Sequence, residues 1–450
     1  MDTVVIKRCL RTKGNFGQIL MTIFFVFFFS VAASQSSLFA EEKADSTLSS
    51  FSGSLRLSGE GEYMNLSDSM LNPSNIFERA DNRAEAFVLG SGLYRGFGGI
   101  FEAEMRFSYQ YTSGRSGAWF EHSLSKAQVN QLYYQKKSDN ISLLLGRKKI
   151  RWGAGYSYSP TDLVSQLKNP EDPEDRLGLI SGADLLQASI TNENNQIDLA
   201  YLPEIEWNFD GWVIRNNRVA IRWYRFIDPF DVSLVGMVDD DGKWAAGMNT
   251  SVTHGNALEL HAEYLYTSSN HKKYPDTNLA SSSFVMPYYL YRSGGVHDVV
   301  AGGQYTFENN MNLTLEYLYR SSGYSNDTFN AYVNHISYLN YEYLVQSNPV
   351  LSIAGLNESA MNFNIPLGKH YLFARLYHPD VMQSISLEVY SYLSLADGSG
   401  FFVFMPKYEK EKNYEVYFRL KKFWGKTDSE FALVPENFSA IVGFSYFLGG

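Results

Sequence analysis

An alternation of apolar and polar residues constrains this chain most, because it is sustained over segments of roughly 9–14 positions. Phe101, Ala103, Met105, Phe107, Tyr109 and Tyr111 alternate with Glu102, Glu104, Arg106, Ser108 and Gln110. Leu258, Leu260, Ala262, Tyr264 and Tyr266 alternate with Glu259, His261 and Glu263, and Leu313, Leu315, Tyr317 and Tyr319 alternate with Thr314, Glu316 and Arg320. Successive side chains of a strand point to opposite faces, so each segment carries one apolar and one polar face. Strands of a soluble sandwich usually stop after about 5–6 residues. A strand that crosses a bilayer at a tilt needs about 9–11. The lengths favour the bilayer.

About eighteen such segments can be traced: 52–64, 82–95, 98–112, 125–137, 140–151, 185–193, 195–204, 217–226, 230–239, 243–254, 256–268, 297–307, 310–320, 368–378, 383–394, 399–409, 413–424 and 436–448. An even count suits a single-chain barrel. The facing of 140–151, 217–226 and 368–378 is ambiguous, which leaves a range of 16–18 strands. The connections alternate in kind. One set is tight and carries turn residues, as at Gly96-Phe97, Asp228-Pro229 and Asn309-Asn310. The other contains every long stretch: 65–81, 113–124, 152–184, 205–216, 269–296, 321–367 and 425–435. Short periplasmic turns opposite long outer loops are the rule for transmembrane barrels. Trp152, Trp207, Trp212, Trp244 and Trp424 fall at outer strand ends, where an aromatic belt would meet lipid headgroups. The expected fold is therefore all-β, a transmembrane antiparallel barrel with its long loops on the outside.

The N-terminus has a different composition. Lys7, Arg8, Arg11 and Lys13 precede the apolar run from Ile19 to Val31, and small residues follow at Ala32, Ala33 and Ala40. A basic stretch, a short apolar core and a small-residue exit describe a secretory signal. Residues 1–40 are thus expected to be a signal peptide, cut after Ala33 or Ala40, ahead of a single barrel domain over 41–450. Cleavage takes away four of the 38 basic and one of the 48 acidic side chains, leaving 34 and 47. A net charge of −13 argues against a nucleic-acid partner. Cys9, the single cysteine, leaves with the signal, so the exported chain has no disulfide to form.

No residue pattern points to catalysis, a cofactor or a metal. The eight histidines show no HExxH arrangement and have no cysteine partners. The polar strand faces instead supply a mixed-charge lumen. Its candidate lining residues are Arg56, Glu60, Glu102, Glu104, Arg106, Arg147, Lys149, Glu259, Glu263, Glu316, Arg320 and Arg419. At roughly eighteen strands side chains no longer fill a barrel's cross-section, so water must enter. The connection 152–184 begins Trp-Gly-Ala-Gly-Tyr and continues through Asp162 to Glu171, Asp172, Glu174 and Asp175. Thr161 is placed to cap a short helix over Asp162–Lys168. Folded inward, the connection would set Asp162 and these four acids against basic wall residues and narrow the passage.

On these features the chain resembles Gram-negative outer-membrane porins and porin-like exporters. The resemblance rests on the signal, the alternating strands, the turn and loop asymmetry, and the aromatic last strand ending Phe444-Ser445-Tyr446-Phe447. It implies a location in the outer membrane among its lipids, insertion by the barrel-assembly machinery, and diffusion of small hydrophilic solutes. Export of an acidic polysaccharide and a non-conducting adhesin barrel are the alternatives. Barrels of this class usually end on phenylalanine, whereas this chain ends Leu448-Gly449-Gly450. Phe329, Tyr332, Val333, Ile336 and Leu339 recur at helical spacing and suggest a packed lid over the outer end.

Overall fold

The computed structural model describes residues 50–449, apart from 114–122, 166–167, 177, 209–210, 271, 277–282, 286–289, 292–293, 346, 364 and 411–412. Eighteen strands form one sheet. In chain order they are β1 Ser50–Leu66, β2 Asn82–Gly96, β3 Gly99–Ser113, β4 Ser123–Ser138, β5 Ile141–Lys148 and β6 Ala183–Asn192. Then follow β7 Asn195–Leu202, β8 Arg218–Ile227, β9 Phe230–Asp239, β10 Trp244–His254, β11 Leu258–Thr267 and β12 Val296–Thr306. The last six are β13 Asn312–Arg320, β14 His370–Met382, β15 Ile385–Ser394, β16 Gly400–Lys410, β17 Tyr414–Trp424 and β18 Glu436–Leu448. Each strand pairs antiparallel with its chain neighbours, and β1 pairs with β18 from Leu55↔Leu448 to Leu66↔Glu436. The sheet is a closed barrel. Closure leaves no open edge, which is what a strand-built structure in hydrocarbon requires.

The two faces sort as the alternation dictates. Leu260, Leu315, Ile221, Met248, Val442 and Phe444 are exposed on the outside, between 45% and 59%, with no protein partner to cover them. Glu263, Glu316, Ser233 and Asn249, at the alternate strand positions, are buried inside. Turns of two to five residues join the strands at one end. At the other end, residues 67–81, 149–182, 203–217, 268–295, 321–369 and 425–435 form the long connections.

Two helices stand among these connections, α1 Asn326–Leu344 and α2 Pro349–Met361. Ser325 caps α1 by accepting from the Thr328 amide. Tyr332, Val333, Ile336 and Leu339 of α1 and Leu356 of α2 are buried, as the helical spacing predicted. They pack with Leu71, Tyr274, Leu367 and Leu433, which come from four different connections. The β1–β2 and β11–β12 connections lie on opposite sides of an eighteen-strand ring. The helical hairpin is therefore a lid laid across the mouth, and its Asn340 side chain donates to the Met70 carbonyl at 2.6 Å. No helix among the described residues is long and apolar enough to cross a membrane.

Candidate functional site

The interior is organised by residues 149–182, which leave the end of β5 and turn into the barrel. Two wall carboxylates hold them there. Glu263 accepts from the amides of Ala154, Gly155 and Thr161 and from the hydroxyls of Ser159 and Thr161. Glu316 accepts from the amides of Tyr156 and Ser157, the Ser157 hydroxyl and the His261 ring at 2.7 Å. A buried carboxylate is tolerable only when donors surround it, and here the loop backbone supplies most of them. The chain must wrap tightly to converge so many amides. A Cβ on Gly153 would sit 1.7 Å from Ser159 Oγ, and one on Gly155 would sit 2.0 Å from the Tyr158 carbonyl oxygen. The Trp-Gly-x-Gly-Tyr run is thus the wrapping sequence for Glu263 and Glu316.

Apolar burial secures the same segment. Trp152, Leu163 and Val164 join Leu144, Leu185, Ala200, Leu202, Ala220 and Val235 on the inner wall. Trp152 is 3% exposed and faces the interior, so it is not part of a headgroup belt. Trp244, 47% exposed beside Tyr266, does lie on the outer surface. Trp207 and Trp212 lie in a small ribbon, Ile205–Asn208 paired with Gly211–Ile214, whose side chains are outside the described residues. The helix expected over Asp162–Lys168 is absent among the described residues. Thr161 donates its hydroxyl to Glu263 at 2.7 Å, and the hydroxyl oxygen accepts from Asn249 at 2.8 Å instead of from a helix amide.

Further along, the loop lies against the opposite wall with alternating charges. Glu171 pairs with Lys421 at 2.9 Å, and its carbonyl accepts from Tyr390 and Arg419, each at 2.6 Å. Glu174 pairs with Arg176 at 3.0 Å and Arg375 at 2.9 Å. Arg176 also pairs with Glu388, which Arg375 holds at 2.6 Å. Asp175 reaches Lys149 at 3.5 Å. Burial pushes the Glu174 carboxyl up, but Arg176 and Arg375 outweigh it and hold it below the ordinary carboxylate range. Burial pushes Asp172 up, and there Arg176 and Arg419 do not overcome it. Asp162 is not among the charges facing the wall. It is buried within the loop, taking the amides of Trp152 and Gly153 and pairing with Arg151 at 3.1 Å.

Each remaining lumen candidate has a definite place. Arg56 pairs with Glu415 at 3.1 Å and donates to the Arg176 carbonyl at 2.6 Å. Glu60 accepts from Arg83 at 3.2 Å and Tyr417 at 2.9 Å. Glu102 takes the Tyr133 hydroxyl at 2.5 Å, and Glu104 takes Lys149 at 2.9 Å and Asn130 at 3.0 Å. Arg106 pairs with Glu85 at 2.6 Å and lies over the Phe87 ring. Glu259 accepts from Gln304 at 2.6 Å, and Arg320 stands at the lid end of β13. Arg147 does not join Lys149. It shares strand parity with exposed Ile141, Leu143 and Leu145, and Asp184 holds it at 2.8 and 2.6 Å. Between loop and wall remains a cavity of about 160 Å³ lined by Arg56, Asp172, Glu174, Lys407, Glu415 and Arg419, among others.

Sequence reasoning missed Arg176, Arg375 and His261. Arg375 lies on a strand whose two faces are both largely apolar. Tyr371 and Phe373 point inward into a cluster with Tyr158, Tyr390, Tyr392, Phe401 and Phe431, while Leu372 and Leu376 are 36% and 38% exposed. Alternation carries no signal there. Among the described residues no group of three or more His, Cys, Asp or Glu is arranged to hold a metal.

Comparison with known proteins agrees on the architecture. No family model matches the sequence, and no curated protein does. Solved structures do match. Pseudomonas aeruginosa OccK5 (OpdH) is 9% identical with a TM-score of 0.53, covering 89% of this chain and 98% of its own. Acinetobacter baumannii OccAB1 is 10% identical with a TM-score of 0.51, covering 89% and 96%. Pseudomonas aeruginosa OccK8 (OprE) is 9% identical with a TM-score of 0.51, covering 89% and 98%. These neighbours are outer-membrane porins, and this chain shares their closed eighteen-strand antiparallel barrel.

Proposed function

We propose that this protein is an outer-membrane channel for diffusion of small hydrophilic solutes, exported by its residues 1–40 and received by the barrel-assembly machinery. The observation that carries the reading is the facing of loop and wall inside a barrel whose outside is apolar. Glu174 and Glu171 of the inward loop are ion-paired with Arg375 and Lys421 at 2.9 Å, and beside them a cavity remains that is lined by charges of both signs, Arg56, Glu60, Asp172, Glu174, Lys407, Glu415 and Arg419. Opposed charges in a water-poor passage are weakly screened and set ion preference. The likeness to outer-membrane barrels supports the same location and class.

The test is conductance of the refolded full-length protein in a planar bilayer. Stepwise single-channel openings are expected, with cation preference falling when Glu171→Gln and Glu174→Gln are combined. A protein that inserts but never conducts, with or without its lid, would overturn the channel and favour an adhesin.

A further inference from the structure

A second cavity, open on one side, lies at the foot of the lid, about 470 Å³ in volume, between residues 361–367, the 270–273 stretch and the end of β13. Its described lining holds three basic side chains, Lys272, Lys273 and Arg320, and no carboxylate. The polar groups around them are Asn270, Ser322 and Asn362. Lys272 Nζ donates to the Leu367 carbonyl at 2.9 Å and lies 4.7 Å from the Tyr324 ring centre. An ammonium has three donors, so two remain. Arg320 donates to the Pro366 carbonyl at 3.4 Å and lies 5.4 Å from the Tyr158 ring centre, while its buried Nε has no hydrogen-bond partner.

Two carboxylates face this pair from neighbouring elements. Asp298 is the cross-strand partner of Arg320, and its Oδ2 accepts from Tyr158 at 3.4 Å. Glu430 is held by the Leu367 amide at 2.6 Å and the Tyr371 hydroxyl at 2.7 Å. Neither forms an ion pair with Lys272 or Arg320 among the described residues. Burial, reinforced by Arg320, pushes the Lys272 ammonium down to about 7 against the pull of Glu430 and Asp298. Two cations therefore share a cavity whose own lining holds no carboxylate, while Asp298 and Glu430 draw on the pair from behind without forming an ion pair with either.

We propose that this cavity binds a small oxyanion, a phosphate or carboxylate group, between Lys272 and Arg320. Such an anion would take the spare ammonium donors and lie against the Arg320 guanidinium. It would also tie the chain leaving α2 to the 270–273 stretch, and so steady the lid from below. The site does not depend on conduction. A silent bilayer leaves it standing.

The experiment is amine acetylation of the full-length protein in detergent at neutral pH, read at each lysine by peptide mass spectrometry. Inorganic phosphate and acetate form the two anion arms, and chloride at equal ionic strength is the control. Lys272 should acetylate readily in chloride, since a depressed ammonium is partly free amine near neutrality. Phosphate, acetate or both should slow it several-fold, while Lys410 at the turn end should not change. Protection should weaken as pH rises from about 6 to about 8, because Lys272 loses its charge over that range. Arg320→Gln should abolish protection, and if that variant does not fold the wild-type comparison decides alone. Equal acetylation of Lys272 in all three salts, or none in any, would overturn the site.

Discussion

At the residue scale, the interior works by spending wall carboxylates on backbone amides. Glu263 and Glu259 sit on one strand face with very different duties. Glu263 is 2% exposed and takes five loop donors, whereas Glu259 has one bond to Gln304. Glu263→Gln removes the charge and turns an NH₂ toward donors. We expect it to cost about 2–3 kcal/mol. In detergent this reads as a lowered thermal midpoint and faster protease cleavage within 152–182. Glu259→Gln should change neither, and equal effects from the two would remove the anchoring role.

At the element scale, outward and inward faces of one strand should answer substitution differently. Leu260 and Leu315 are 48% and 46% exposed on the outside of the barrel. Arg at either position places a charge near the bilayer midplane and should cost about 2–4 kcal/mol of folding free energy. Urea titration in lipid vesicles measures it; no loss at both sites would mean these faces do not meet lipid. The strands themselves were legible in the sequence because alternation, length and turn chemistry all pointed one way, and all eighteen segments became strands within a few residues. What alternation does not report is a third body inside the ring. Judged beside their chain neighbours alone, Trp152 has the place of a belt residue and Thr161 that of a helix cap. Both answer to groups on β10 and β11, about a hundred residues later. Arg375 was missed for the complementary reason that β14 to β16 are aromatic on their inner face and apolar on their outer one.

At the scale of the whole molecule, two bodies lie across the barrel, the inward loop within it and the helical lid over its mouth. Their contributions to resistance should separate. Deleting 163–178 is expected to raise single-channel conductance clearly and weaken cation preference, since it takes Glu171 and Glu174 away from the wall. Replacing 326–361 by a short Gly-Ser linker should lengthen openings and leave the ion preference as it was. If the linker variant changes selectivity and the loop deletion does not, the two roles are reversed.

The lid also measures the ring beneath it. Its core takes Leu71 from the first long connection, Tyr274 and Leu356 from two in the far half, and Leu433 from the last. These arrive at one point only if the wall between them has the right number of staves. A barrel with one hairpin duplicated or removed could still zip shut strand to strand, as each ladder asks only for a neighbour. Its rim would be too wide or too narrow, and Ile336 and Leu339 would find gaps where Leu71 and Leu433 should be. The cover is therefore a gauge of circumference, fitting one perimeter and leaving its apolar side bare on any other.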